Sequence, residues 1–232
     1  MVWEAPVSWA EGLALVKRGA ESEIRLGDFM GLRAIYKLRV RKAYMDPALD
    51  SRLRAQRTLK EAKVLSLARE RGVRVPRLYA VFPSMGLIVM EYVEGPTLKE
   101  VVGSPGWQGL AGDAGLQLGL LHAAGIVHGD STTSNMVVTG EGVTLIDFGL
   151  AEFSSRLEDR AVDVHLLKEA VTSTHPGHAG EFMEAFMRGY SRALGEAAAG
   201  EVEARAREVE MRGRYVAARR SVWQAEAGEG GD

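Results

Sequence analysis

The chain has 232 residues, is 46% hydrophobic and 26% charged, and contains no cysteine. That length allows one or two domains with a sizeable core, and the apolar fraction excludes wholesale disorder. The lack of cysteine excludes disulfides, thiolate metal sites and thiol catalysis. The net charge of −2 is unevenly spread: residues 33–77 carry net +10, which leaves −12 for the rest. Such asymmetry fits either a polyanionic partner or a solvated basic helix face. The N-terminal segment lacks a basic, apolar leader, and no run of about 18 apolar residues occurs, so a soluble cytoplasmic protein with no membrane span is expected.

Along the chain, Leu32, Ala34, Tyr36, Leu38 and Val40 alternate with Arg33, Ile35, Lys37, Arg39 and Arg41, the period of a strand. Asp46-Pro47 supplies an N-cap and a proline at the first helical position, and Ala48 to Arg71 holds no Gly or Pro, which predicts helix, as one long element or two short ones, closed at Gly72. Two apolar runs, Leu78 to Phe82 and Leu87 to Met90, read as a hairpin around Pro83-Ser84-Met85-Gly86. Glu94-Gly95-Pro96 breaks the pattern and marks the boundary between a strand-rich and a helical part.

Beyond it, Trp107 to Ala124 predicts a helix, although Gly109, Gly112, Gly115 and Gly119 weaken its interior. Met136 to Val138 and Val143 to Ile146 predict two short strands around a turn. From Glu158 the chain reads as helical, broken at His175-Pro176-Gly177, and Ala225 to Asp232 reads as a Gly/Glu-rich, disordered tail. The expected organisation is a lobe of strands plus a helix over residues 1–90, a hinge over 91–96, a second lobe over 97–220 and a disordered tail over 221–232.

The densest chemical signal is His128-Gly129-Asp130-Ser131-Thr132-Thr133-Ser134-Asn135, followed by Ile146-Asp147-Phe148-Gly149. Phosphoryl transfer from ATP needs a carboxylate near the attacking oxygen and oxygen ligands for Mg2+. Asp130 and Asn135 share one loop, and a hairpin of suitable length returns Asp147 to it. This order resembles the catalytic loop and metal-binding Asp of protein kinases. The resemblance implies Asp130 as catalytic carboxylate, with Asn135 and Asp147 binding Mg2+ and nucleotide. It further implies that Lys37 neutralises phosphates, with Glu61 as its ion-pair partner and Lys42 as a rival lysine. Gly19 would belong to the phosphate-covering loop, and Glu91 and Val93 to the linker whose backbone reads adenine. Asp163 would accept hydrogen bonds from the catalytic-loop backbone, and His128 would hold the loop's shape.

The sequence departs from conventional protein kinases in three places. Gly19 stands in a turn with Glu21 and Glu23 instead of three glycines. Gly129 replaces the arginine that receives an activation-loop phosphate. No Ala-Pro-Glu follows Asp147, and Asp163 arrives too soon for a peptide-docking segment.

HGDSTTSNMVV, LIDFGLAEFSSRLEDRAVDVHLL, the stretch from Ser173 to Pro176, MRGR, and RKAYMDPALDSRLRAQRTLKEAKVLSLARERGVRVP are together similar to the small atypical kinase of the KEOPS complex, the PRPK-like family. The likeness runs from about Gly19 to Arg214. It departs at Met45, where the family tends to have Arg, and at Lys168-Glu169, whose order is reversed. The resemblance implies an α+β, small bilobal protein-kinase-like fold with a β-sheet N-lobe plus helix and a mainly helical, truncated C-lobe. It implies an ATP- and Mg2+-dependent ATPase and Ser/Thr kinase in threonylcarbamoyl modification of tRNA adenosine. The implied partners are the threonylcarbamoyl transferase subunit, other KEOPS subunits and tRNA. Arg212, Arg214, Arg219 and Arg220, with Tyr215 among them, would meet RNA or nucleotide phosphates. A small-molecule phosphotransferase and a non-catalytic scaffold stand as alternatives.

Overall fold

The computed structural model describes residues 12–228, with side chains as far as residue 212. The chain divides into two compact units, Met1–Gly95 and Pro96–Asp232.

The first unit is a five-stranded antiparallel sheet with one long helix. Its strands are β1 (Ala14–Arg18), β2 (Ser22–Phe29), β3 (Leu32–Arg39), β4 (Leu78–Phe82) and β5 (Leu87–Glu91), in spatial order β1-β2-β3-β5-β4. The continuous apolar run Leu87-Ile88-Val89-Met90 is buried because β5 lies between β3 and β4 rather than at an edge. Helix α1 (Pro47–Glu70) is one unbroken element of 24 residues. It begins where the Asp46 side chain accepts from Ala48 N and Leu49 N at 3.1 and 3.0 Å, a cap worth about 1 kcal/mol. Thr58, Glu61, Ala62, Leu65 and Ala68 recur at helical spacing and form its buried face. That face packs on β4 and β5, so a carboxylate is carried into the interior of this unit along with the leucines.

The second unit contains α2 (Leu98–Val101), α3 (Trp107–Ala123), β6 (Ile126–Val127), β7 (Met136–Thr139), β8 (Gly142–Leu145), β9 (Glu152–Phe153), α4 (Leu157–Thr174), α5 (Ala179–Leu194) and α6 (Glu196–Gly228). Strand β7 pairs with β8 as a hairpin and β6 with β9, both antiparallel. Helices α3 and α5 pack most extensively. The glycines that weaken α3 on propensity are what permits this. A Cβ at Gly115 would lie 1.9 Å from the Phe186 carbonyl oxygen, and one at Gly189 would lie 1.7 Å from that of Gly112. The two backbones therefore touch, and Phe182, Phe186 and Tyr190 complete a fully buried stripe on α5. Helix α4 packs on α6, where Lys168 donates to Glu210 at 2.6 Å. The backbone of α6 is helical to Gly228, through the segment whose composition reads as a tail; residues 229–232 lie outside the described residues. The side chains of Arg214, Tyr215, Arg219 and Arg220 also lie outside them. Among the described residues, no helix is long and apolar enough to cross a membrane.

Candidate active site

The sequence-expected residues fall into two clusters, one in each unit. In the first, Lys37 Nζ donates to Glu61 Oε1 at 2.6 Å, and both side chains are buried. An ion pair this deep persists only because each charge is met at hydrogen-bond distance, since desolvating either alone costs several kcal/mol. Glu61 has a second cation. Arg39, two positions beyond Lys37 on β3 and so on the same strand face, donates from Nη2 to Glu61 Oε2, also at 2.6 Å. Sequence reasoning passes over Arg39, although the period of the strand is a signal that could have found it.

The rival lysine sits elsewhere. Lys42 Nζ donates to Glu21 Oε1 at 3.1 Å, and Arg57 of α1 donates to Glu21 Oε2 at 3.0 Å. The Lys42 hydrogen bond, reinforced by Arg57, holds the Glu21 carboxyl below its ordinary range. Gly19 lies in the β1–β2 turn and its N–H is spent on Ser22 O at 2.9 Å. Glu91 ends β5, where its Oε2 accepts from Arg77 N at 3.0 Å; Val93 follows in irregular chain.

The second cluster is built on the loop between β6 and β7. Asn135 Nδ2 donates to the Asp130 carbonyl at 2.9 Å and to Asp130 Oδ2 at 2.8 Å. Its backbone carbonyl accepts from Ile146 N at 2.9 Å, which joins the loop to the end of β8 one residue before Asp147. Asp130, Asn135 and Asp147 are thus assembled by one hairpin. Asp147 is exposed, holds the left-handed backbone at φ 60°, and accepts from Gly149 N at 3.4 Å through Oδ1. Phe148, next to it, is buried with its ring 4.8 Å from that of His128.

His128 is buried and serves the loop through both ring nitrogens. Nε2 lies 3.0 Å from the Ile146 carbonyl, which can only accept, so Nε2 carries the proton. Nδ1 then accepts from Asp130 N at 3.3 Å. Burial pushes the imidazole below its ordinary value, against the opposing pull of Asp163, and this keeps it neutral.

Asp163 of α4 anchors the loop from below. Its carboxylate accepts from the backbone N–H of His128 and, at 2.8 Å, of Gly129, and its own carbonyl accepts from Ser131 Oγ. Gly129 has φ 78°, and a Cβ there would lie 2.4 Å from the Leu150 carbonyl oxygen. The residue that departs from the conventional kinase pattern is therefore the one this backbone admits. Behind Asp163 stand two more residues that sequence reasoning did not single out. His122 of α3 lies 3.0 Å from Asp163 Oδ2 through Nε2 and 2.6 Å from the Tyr190 hydroxyl through Nδ1. Nothing in the spacing of α3, α4 and α5 announces that three separate helices share one hydrogen-bonded chain.

Two carboxylates and an amide oxygen form a hard, oxygen-only donor set. Among the described residues, no three His, Cys, Asp or Glu side chains gather to hold a metal on their own. That donor chemistry fits Mg2+, which is commonly held by one or two carboxylates together with substrate phosphates and water. Asn135 and Asp147 are the residues that would hold it.

Among solved structures, the chain resembles the Rio2 kinase of Chaetomium thermophilum in its ADP, Mg2+ and phosphoaspartate complex. The TM-score is 0.57 at 19% identity, over 88% of this chain and 73% of that one. An amicoumacin kinase gives the same TM-score at 15% identity, over 79% of this chain and 73% of that one. The fold is that of the protein-kinase-like enzymes. A RIO domain model matches residues 34–154, and the KEOPS complex subunit Bud32 of Pyrococcus abyssi is 42% identical, over 88% of this chain and 96% of its own length. The chain belongs to the RIO-domain family and, within it, to the Bud32 subunits of KEOPS complexes. The Dictyostelium discoideum protein of that name is 36% identical, over 70% of this chain and 68% of its own. A probable bifunctional tRNA threonylcarbamoyladenosine biosynthesis protein of Methanothermobacter thermautotrophicus is 39% identical over 78% of this chain, which spans only 33% of that relative's length.

Proposed function

We propose that the chain is a Mg2+-dependent ATPase and Ser/Thr kinase-type phosphotransferase that acts as a subunit of a KEOPS assembly in threonylcarbamoyl modification of tRNA adenosine. The observation that carries this reading is the Asp130–Asn135 hydrogen bond of 2.8 Å, with Asp147 one residue beyond the Ile146–Asn135 backbone bond. In this reading the Asp130 carboxylate orients the attacking hydroxyl or water and takes its proton. Asn135 and Asp147 hold the cation, and Lys37, steadied by Glu61, offsets the phosphate charge. Bound Mg2+ would neutralise charge that develops on the phosphate oxygens. His128, with both nitrogens engaged, keeps the loop's shape rather than moving protons. The backbone near Glu91 and Val93 would read the adenine edge, while Gly19 would approach the phosphates.

The relatives named bifunctional support a partner of the transferase kind, because the segment like this chain makes up about a third of one of them. We take that partner to be the threonylcarbamoyl transferase, and the basic stretch over 33–77 to meet tRNA phosphates. A cytoplasmic location accords with this role.

The test is ATP hydrolysis by wild type and Asp147→Ala, each with and without the transferase subunit and tRNA. Turnover that rises with the partner and is lost in Asp147→Ala is the expected result. Unchanged turnover in the variant rejects the assignment. Efficient phosphorylation of a small alcohol would favour a small-molecule transferase. Full restoration of tRNA modification by Asp130→Asn and Asp147→Ala would favour a scaffold.

A further inference from the structure

Glu61 divides its carboxylate between two buried cations, one on each oxygen and both at 2.6 Å. The two cations differ in kind. A guanidinium is a planar, delocalised cation, whereas a lysine carries a compact ammonium on a flexible stem. Arg39 is also fixed by its backbone: it pairs with Ser22 across β2, and its N–H donates to Gly86 O at 2.9 Å. Glu61 therefore has one counter-charge rooted in a strand interior and held on Oε2, and a second on a flexible stem.

From this geometry we infer that Arg39 is a positioning residue for nucleotide phosphates, which releases Lys37 from the duty of neutralising Glu61. The inference rests on the nucleotide reading given above. With Arg39 neutral, Glu61 Oε2 would face no cation, and the buried carboxylate would draw on Lys37 alone. Lys37 would then be held back from phosphate oxygens. The charge of Lys37, Arg39 and Glu61 together would also fall from +1 to zero, so the field felt by a polyanion would weaken. Both effects act on phosphates and neither acts on an adenine ring or a ribose. Loss of Arg39 should accordingly weaken ligands in order of their phosphate charge: ATP most, ADP less, adenosine not at all.

Binding of ATP, ADP and adenosine to the full chain, measured calorimetrically with Mg2+ present, tests this. In Arg39→Met the Kd for ATP should rise about tenfold or more, while adenosine affinity stays within about twofold of wild type. Arg39→Lys, which restores a cation near Oε2, should keep ATP affinity within about threefold of wild type. Arg39→Gln retains a donor without the charge and carries the same expectation as Arg39→Met, should the latter fail to fold. An unchanged ratio of ATP to adenosine affinity in the neutral variants overturns the inference, and so does an equal loss of all three ligands. The nucleotide reading itself fails, and the role of Arg39 with it, if wild type binds ATP no more tightly than adenosine.

Discussion

The Tyr190 hydroxyl lies 2.6 Å from His122 Nδ1, wholly inside the helical unit. Because Asp163 Oδ2 is an acceptor on the other side of the ring, Nε2 carries the imidazole proton and Nδ1 accepts. Tyr190 must therefore be the donor, and burial, which pushes its phenol well above the ordinary range, keeps the proton there. The carboxylate of α4 thereby fixes the tautomer of the α3 imidazole, and the hydroxyl of α5 satisfies the nitrogen left over, behind the loop that Asp163 holds. Tyr190→Phe leaves Nδ1 buried without its donor and should cost about 1–3 kcal/mol in urea unfolding. Its second readout is the His122 Nδ1 resonance by nitrogen NMR, which should shift as the hydroxyl's hydrogen bond is lost while Asp163 keeps the proton on Nε2. An unaltered stability together with an unaltered Nδ1 resonance would remove Tyr190 from this chain of bonds.

Backbone contact between α3 and α5 leads to a pair of alanine substitutions with opposite signs. At Gly189 a Cβ would meet the Gly112 carbonyl at 1.7 Å, so Gly189→Ala must push the helices apart. The expected loss is about 1–3 kcal/mol or more, as for other overpacked cores. Gly200 of α6 has nothing within 4 Å of the same added atom. There the helix propensity of alanine acts unopposed, and Gly200→Ala should stabilise by up to about 1 kcal/mol. Thermal unfolding of both variants checks the pair; equal effects would contradict the packing described.

These glycines also mark where sequence reasoning is informative and where it stops. Asp46-Pro47 and the uninterrupted stretch after it made α1 readable, because caps and breakers act locally. The Asp130, Asn135 and Asp147 set was readable for a related reason: a loop and one short hairpin determine their spacing. Gly115 and Gly119 were visible only as weak points of a helix, since the partner that makes them necessary, α5, lies about seventy residues further along the chain. The second cation on Glu61 is half legible: the strand period sets Arg39 on the same face as Lys37, but nothing local says that this face meets a helix turn 22 residues further along. The Tyr190–His122–Asp163 chain joins three helices and was out of reach on periodicity alone.

Acid sensitivity follows from the two buried imidazoles. Burial pushes His122 and His128 below their ordinary value of 6.5. In the unfolded chain both take up protons as pH falls through about 6.5, while in the folded chain they stay neutral until lower pH. The unfolded state then binds more protons, so stability is full above that value and declines below it. Each imidazole contributes a slope approaching about 1.4 kcal/mol per pH unit. Glu23 and Asp50, whose carboxyls are held below 4.5 and 3.8, add a loss of the same sign only in stronger acid. Urea unfolding between about pH 7.5 and pH 5.5 should therefore show a marked fall in stability. A flat profile over that interval would mean that these rings are protonated as readily in the folded chain as outside it.

Gly129 and Gly125 allow backbone strain to be separated from loop contact. Their φ values are alike, 78° and 74°, so an alanine at either incurs the same left-handed penalty of about 1–2 kcal/mol. Their surroundings differ. Around Gly125 nothing lies within 4 Å of an added Cβ, whereas at Gly129 the Leu150 carbonyl is 2.4 Å away. Leu150 closes the Asp147-Phe148-Gly149 segment, and Ala151 behind it is fully buried, so the displaced carbonyl has little room and Asp147 shifts with it. Gly125→Ala should lose stability but keep ATP turnover within about twofold of wild type, while Gly129→Ala should lose about tenfold or more in turnover. Steady-state hydrolysis of saturating ATP, at a temperature where both variants remain folded, makes the comparison. Equal turnover in the two variants would show that Leu150 does not hold Asp147 in place.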